Sequence, residues 1–114
     1  MKRVVIVNAG GRLALSAERG DYDNLVESLQ RLINGFESCQ GEVVNSVEAA
    51  RGLLDRTDVV IFVTAGLLGE ARRIKQSHSR IRVIVLTGLV PGDEVIILSK
   101  LWYTPDLIRD AVMS

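Results

Sequence analysis

Residues 59 to 63 read Val-Val-Ile-Phe-Val, five apolar residues in a row, every one of them β-branched or aromatic. A strand with one face in water alternates apolar and polar side chains. A run without alternation offers no polar face and must be covered on both sides. Val4 to Val7 has the same character, and Ile81 to Thr87, with the apolar run Val83 to Leu86, and Val95 to Ser99 read as further strands. Val43-Val44 is a shorter piece of the same kind. The longest of these runs is far below a membrane span.

The segments between them have helical spacing. Leu25, Leu29, Leu32, Ile33 and Phe36 follow Asp21, a plausible N-cap, and Gly35 and Gly41 bracket the exit. Asn45 with Glu48 three residues on reads as a capping box, and Val47, Ala50, Leu53 and Leu54 form an inner face behind it. Leu67, Leu68, Ala71 and Ile74 make a third helix. Thr104-Pro105-Asp106 opens a last one, with Leu107, Ile108, Ala111 and Val112 facing inward. Residues 9 to 20 give mixed signals. Five buried strands interleaved with helices predict an α/β fold with an open parallel sheet and helices on both faces. The flavodoxin-like order 2-1-3-4-5 is the simplest solution. In such sheets ligands sit beyond the carboxyl ends of the strands, so residues 8–11, 63–67, 87–90 and 100–103 are the ones to inspect.

Composition narrows the chemistry. The 114 residues suit one domain and carry 14 Lys/Arg against 14 Asp/Glu, a net charge of zero. That balance argues against coating nucleic acid or an anionic membrane. Cys39 and His78 are the single residues of their types, so neither an internal disulfide nor a thiolate zinc cluster is available. The apolar run ending at Asn8 is too short for a secretory signal core, and the expectation is a cytoplasmic protein. Gly10-Gly11 follows the first strand without either of the glycine-rich phosphate-binding fingerprints. His78 falls at the far end of a helix, away from the strand carboxyl ends, which removes the obvious general base. No enzyme and no cofactor is expected.

Four segments in the right order resemble the receiver domains of response regulators. VESLQRLINGF is similar to the first receiver helix, and GEVVNSVEAARGLL to the second strand and helix. LLGEARRIKQSHSRIRVIVLTG resembles the third helix and fourth strand, and ILSKLWYTPDLIRDAV the fifth strand, its lysine and the last helix. A receiver takes a phosphoryl group on an aspartate ending the third strand. An acidic pair after the first strand holds magnesium, and a hydroxyl and a lysine bind the phosphoryl oxygens. A hard cation on oxygen ligands plus fixed donors is what a trianionic transfer centre needs.

The resemblance places the hydroxyl at Thr87 and the lysine at Lys100. It places the acidic pair at Asn8 and Ala9, and the acceptor at Val63, or Thr64 in a slipped register. None of these four is a carboxylate, so the chain looks like a degenerate receiver, or pseudo-receiver. Each remaining feature has a plainer reading. Thr87 serves equally as a turn residue, Lys100 as a surface lysine, Asp21 and Asp23 as helix caps, and Glu70 as part of a solvated helix face. The run Arg72, Arg73, Lys75, His78, Arg80 and Arg82 is explained by a solvated helix end, with an acidic partner as the rival reading.

A second departure concerns the last crossover. Only the seven residues Gly88 to Glu94 separate Thr87 from the fifth strand. A helical crossover needs about 10–12 or more. Seven extended residues reach about 23 Å. The return needs about 17 Å along a strand and 5 Å across. A parallel fifth strand therefore requires a loop crossover with the fourth helix missing or reduced. A hairpin at Pro91-Gly92 is the rival. Loss of that helix bares the sheet beside Leu89, Val90, Leu101, Trp102 and Tyr103, a possible interface rich in anchor residues.

Residues 1–114 are therefore expected to form a single receiver-like domain, stand-alone or the amino-terminal part of a longer protein. The expected function is regulatory binding of a protein partner or of a second copy, through the face formed by strand four, strand five and the last helix, without aspartyl phosphorylation. Membranes are not expected partners, and nucleic acid only through a separate attached domain. The alternative is a small-ligand or phosphate sensor using Gly10, Gly11, Thr64, Thr87 and Lys100.

Overall fold

A computed structural model of the chain describes residues 2–8, 26–63, 68–87, 96–99 and 105–113, with backbone alone at 68, 86, 87, 96–99, 105 and 107. Five strands form one sheet: β1 (Lys2–Val7), β2 (Cys39–Val44), β3 (Val59–Phe62), β4 (Arg82–Thr87) and β5 (Ile96–Ser99). Their order is β2-β1-β3-β4-β5. Every pairing is parallel, with Val7 level with Phe62 and Phe62 level with Val85. The parallel β5 excludes the hairpin at Pro91-Gly92. The crossover itself, and with it the expected loss of a fourth helix, lies outside the described residues, as does 9–20.

The helices are α1 (26–34), α2 (Val47–Arg51), α3 (Leu68–Ser77) and α4 (Pro105–Met113). A 3-10 turn, Leu54–Arg56, follows α2. Side chains alternate along each strand, so β1 and β3 feed two separate apolar layers. Val4, Ile6, Val59, Ile61 and Val63 pack with Leu29 and Ile33 of α1 and Ile108 and Val112 of α4. Val5, Val7, Val60 and Phe62 pack with Ala50, Leu54, Ala71 and Ile74 on the other face. All of Val59 to Val63 is at most 1% exposed, which is why the run tolerates no polar residue. Among the described residues no helix is long and apolar enough to cross a membrane.

Two local expectations are corrected, and one turn feature is added. The cap of α2 is Ser46 rather than Asn45: its Oγ accepts the Ala49 N–H at 3.1 Å. Strand β2 begins at Cys39, four residues before the Val43-Val44 pair. Its first half reads poorly as a strand because it is an edge, with Gln40 and Glu42 pointing to solvent. The turn after α1 puts its left-handed residue at Ser38 (φ 66°), not at a glycine.

Gly41 serves a different purpose. The Ser38 and Val44 carbonyls accept hydrogen bonds from the Lys2 and Asn8 N–H groups of β1, so the backbone N–H and C=O groups of every second residue between them point toward β1. The backbone groups of Cys39, Gly41 and Val43 then point to the open edge. There the Gly41 N–H donates to Asn34 Oδ1 at 2.8 Å, and the Gly41 carbonyl accepts from Gln30 Nε2 at 3.3 Å. Both amides come from α1, which lies so close that a Cβ on Gly41 would sit 3.2 Å from Ile33 Cγ2. The exposed edge is thereby occupied by side chains of the same molecule, a recognised defence against pairing with another chain.

Two outcomes follow for urea denaturation. Asn34→Ala should cost about 1 kcal/mol, the loss of one partner of a partly buried hydrogen bond. Ser38→Gly should gain up to about 1 kcal/mol by relieving the left-handed backbone. Unchanged midpoints in both would mean that water replaces the amide and that the turn carries no strain.

Candidate functional site

The carboxyl ends of β1 and β3 bring together two of the residues singled out above. Asn8 follows Val7 and Val63 follows Phe62, and Val7 and Phe62 are paired, so Asn8 and Val63 stand at the same level of the sheet. Asn8 is half-buried, and its N–H donates to the Val44 carbonyl at 2.8 Å. Val63 is fully buried and belongs to the apolar layer beneath α1 and α4. Thr87 ends β4 level with Ser99, two residues beyond Val85, at the same end of the sheet. Ala9, Thr64 and Lys100 lie outside the described residues. So do Gly10, Gly11, Asp21, Asp23 and the possible interface Leu89, Val90, Leu101, Trp102 and Tyr103.

The chemistry at the described part of this end is apolar. Of the two positions that the receiver resemblance offers for a phosphoryl acceptor, Thr64 lies outside the described residues and Val63 is 0% exposed. A carboxylate there would sit among Ile6, Ile61 and Ile84 without a described charge to offset its desolvation. Among the described residues no group of three or more His, Cys, Asp or Glu side chains converges on a point that could hold a metal ion.

Glu70, in the first turn of α3, is engaged elsewhere. Its carboxylate accepts from Arg51 Nη2 at 2.6 Å and from Arg73 Nη1 at 3.1 Å, joining α2 to α3. This cross-helix pair was invisible in sequence, because Arg51 and Glu70 are 19 residues apart and follow no helical period. His78 sits past the end of α3, where its Nδ1 is 2.8 Å from Ser77 Oγ and its carbonyl accepts the Ile81 N–H. That is the entry side of β4, opposite the strand carboxyl ends. Cys39 starts β2, also at the entry side, and is buried with its thiol 3.5 Å from Met113 Sδ. Neither residue can act at the sheet's carboxyl end.

Two members of the basic run are anchored on backbone carbonyls. Lys75 Nζ donates to the Ser79 and Ile81 carbonyls, at 3.0 and 3.1 Å, and ties α3 to the turn that follows it. Arg80 reaches the Leu54 and Asp55 carbonyls, both at 3.3 Å. These bonds hold the side chains on groups that carry no formal charge. No protein-family model matches the chain, and no curated protein matches it.

The burial of Val63 yields a direct check. Val63→Asp should destabilise the domain by about 3 kcal/mol or more in urea denaturation, the cost of an unpaired buried charge or of its neutralisation. A loss below about 1 kcal/mol would mean that the strand end opens to water.

Proposed function

We propose that the chain is a flavodoxin-like, receiver-related domain that works as a regulatory protein-interaction module, independent of aspartyl phosphorylation and without enzymatic activity. The observation that carries this reading is the fully buried Val63 at the end of the central strand. A receiver's phosphoryl chemistry requires a solvent-reachable carboxylate at that point and acidic magnesium ligands at the end of the first strand. Here Asn8 and Val63 stand at those positions. The parallel order β2-β1-β3-β4-β5, with α1 and α4 on one face and α2 and α3 on the other, is the scaffold such a module would use.

The partner is a protein or a second copy of the chain. The surface expected for it from the sequence is the face of strand four, strand five and the last helix, with Trp102 among its anchor residues. Aromatic residues of this kind are favoured anchors because they bury much area with few rotatable bonds. The working compartment on this reading is the cytoplasm.

Two measurements test the proposal. Incubation with acetyl phosphate and magnesium should leave the intact mass unchanged. A phosphoryl adduct abolished by one point substitution would overturn the reading. Light scattering across a concentration series should show a dimer that Trp102→Ala dissociates. A monomer at every concentration would eliminate a second copy as the partner.

A further inference from the structure

The net charge of zero conceals an uneven surface. From Leu68 to Ile81, α3 and the turn after it carry four Lys/Arg and one acid, Glu70. The elements facing them, α2 and the 3-10 turn, are balanced, with Glu48 and Asp55 against Arg51 and Arg56. Between α2 and α3 lies a groove of about 310 Å³, lined by Arg51, Leu54, Arg73, Ile74, Ser77 and His78. Its lining holds two guanidiniums, an imidazole and a hydroxyl over two aliphatic side chains, and no carboxylate.

Glu70 does not cancel this field. One carboxylate holds two guanidiniums, one from each wall of the groove, which leaves a net positive charge and fixes both cations in place. The side chains of Arg51 and Arg73 remain 48% and 72% exposed, so each keeps donors free to bind elsewhere. Pre-positioned donors lose little freedom on binding, which favours affinity. A second groove of about 250 Å³, on the entry side of the sheet, differs: Arg3 and Arg56 share it with Glu42, so its charge is mixed.

We propose that the α2–α3 groove is a docking site for an acidic protein segment, with carboxylates on Arg51 and Arg73 and an aliphatic side chain resting over Leu54 and Ile74. Charge complementarity selects this occupant. The positive field runs on past the groove through Lys75 and Arg80, farther than one small anion would need. The aliphatic floor suits a side chain rather than a phosphate backbone, and the groove lining holds no aromatic residue for stacking bases. The proposal names a partner chemistry for the interaction module and rests on that reading. It uses residues of α2, the 3-10 turn and α3, none of which is among those expected at the Trp102 interface.

The test is fluorescence anisotropy with the full chain and a labelled glutamate-rich peptide carrying one leucine. Binding should be saturable and weaken with added salt. Arg51→Ala combined with Arg73→Ala should weaken it about tenfold or more, as expected of two interface arginines. Glu70→Gln should strengthen it, because the two guanidiniums lose their internal competitor. Arg31→Ala, an exposed arginine on α1, should leave it unchanged. Circular dichroism melts verify that the groove variants stay folded. Absent saturable binding, equal binding by the double variant, or weaker binding by Glu70→Gln would each overturn the proposal. So would preference for a single-stranded RNA of equal charge, which would assign the patch to nucleic acid. Those failures leave the acetyl phosphate result untouched, whereas a phosphoryl adduct there would overturn the interaction-module reading whatever the peptide does.

Discussion

Burial of β1 and β3 on both faces is the constraint from which the architecture follows. Between Val4 and Val7, and between Val59 and Val63, no residue is more than 3% exposed. Each side chain of that size contributes about 1.5–3 kcal/mol by leaving water, so neither face can be left open. A sheet covered on both faces must send its chain alternately above and below, which is what parallel crossovers do. The two apolar layers are separate, one under α1 and α4 and one under α2 and α3, and they meet only through the backbone of the sheet.

The entry side of that sheet is tied together by polar contacts between elements far apart in sequence. The Arg3 N–H donates to Asp58 Oδ2 at 2.9 Å, while the Asp58 N–H donates back to the Arg3 carbonyl. The Arg82 N–H completes the row on the Asp58 carbonyl. Lys2 Nζ caps the end of α4 on the Val112 carbonyl at 3.0 Å, a favourable place for a cation. Arg109 of α4 lies 5.3 Å from the centre of the Phe36 ring, joining α4 to the turn after α1. At the edge, Gln30 and Asn34 occupy the backbone of Gly41, which removes β2 as a template for strand addition. Strand addition at the middle of this edge would have to displace those two side chains.

The strands were legible because burial on two faces leaves an unmistakable mark: unbroken Val and Ile runs. The helical inner faces were legible for the complementary reason, and Leu29, Ile33, Ala50, Ala71, Ile74, Ile108 and Val112 are all buried as their spacing predicts. The first half of β2 was not, since Gln40 and Glu42 dilute the pattern and Gly41 reads as a breaker until its contact with Ile33 is seen. Ser46 and Asn45 are equally good caps in sequence, and only the path of the chain chooses between them. For the site, the lack of carboxylates at Asn8 and Val63 could be read directly. That Val63 is sealed into a core, and that Glu70 bridges two helices, depends on tertiary contacts that leave no periodic trace.

A buried valine at the end of β3 differs in kind from a polar residue left in an open pocket. An open pocket that has lost one ligand keeps its water and its remaining donors and can accept another anion. A side chain at 0% exposure packed against isoleucines converts that point of the sheet into core. Under the proposed function, recognition would come from the outer surface, where charge and shape vary at little cost to folding. Leu68 to Ile81 is where that freedom is visible: its inner residues Ala71, Ile74 and Ile81 are buried, while its outer ones carry four of the chain's 14 cations. Two of the four, Lys75 and Arg80, are held by backbone carbonyls, so part of the patch is fixed by groups that carry no formal charge. Charge fixed in this way loses little freedom on binding, which would suit the proposed acidic partner better than the lysine and arginine count alone would indicate.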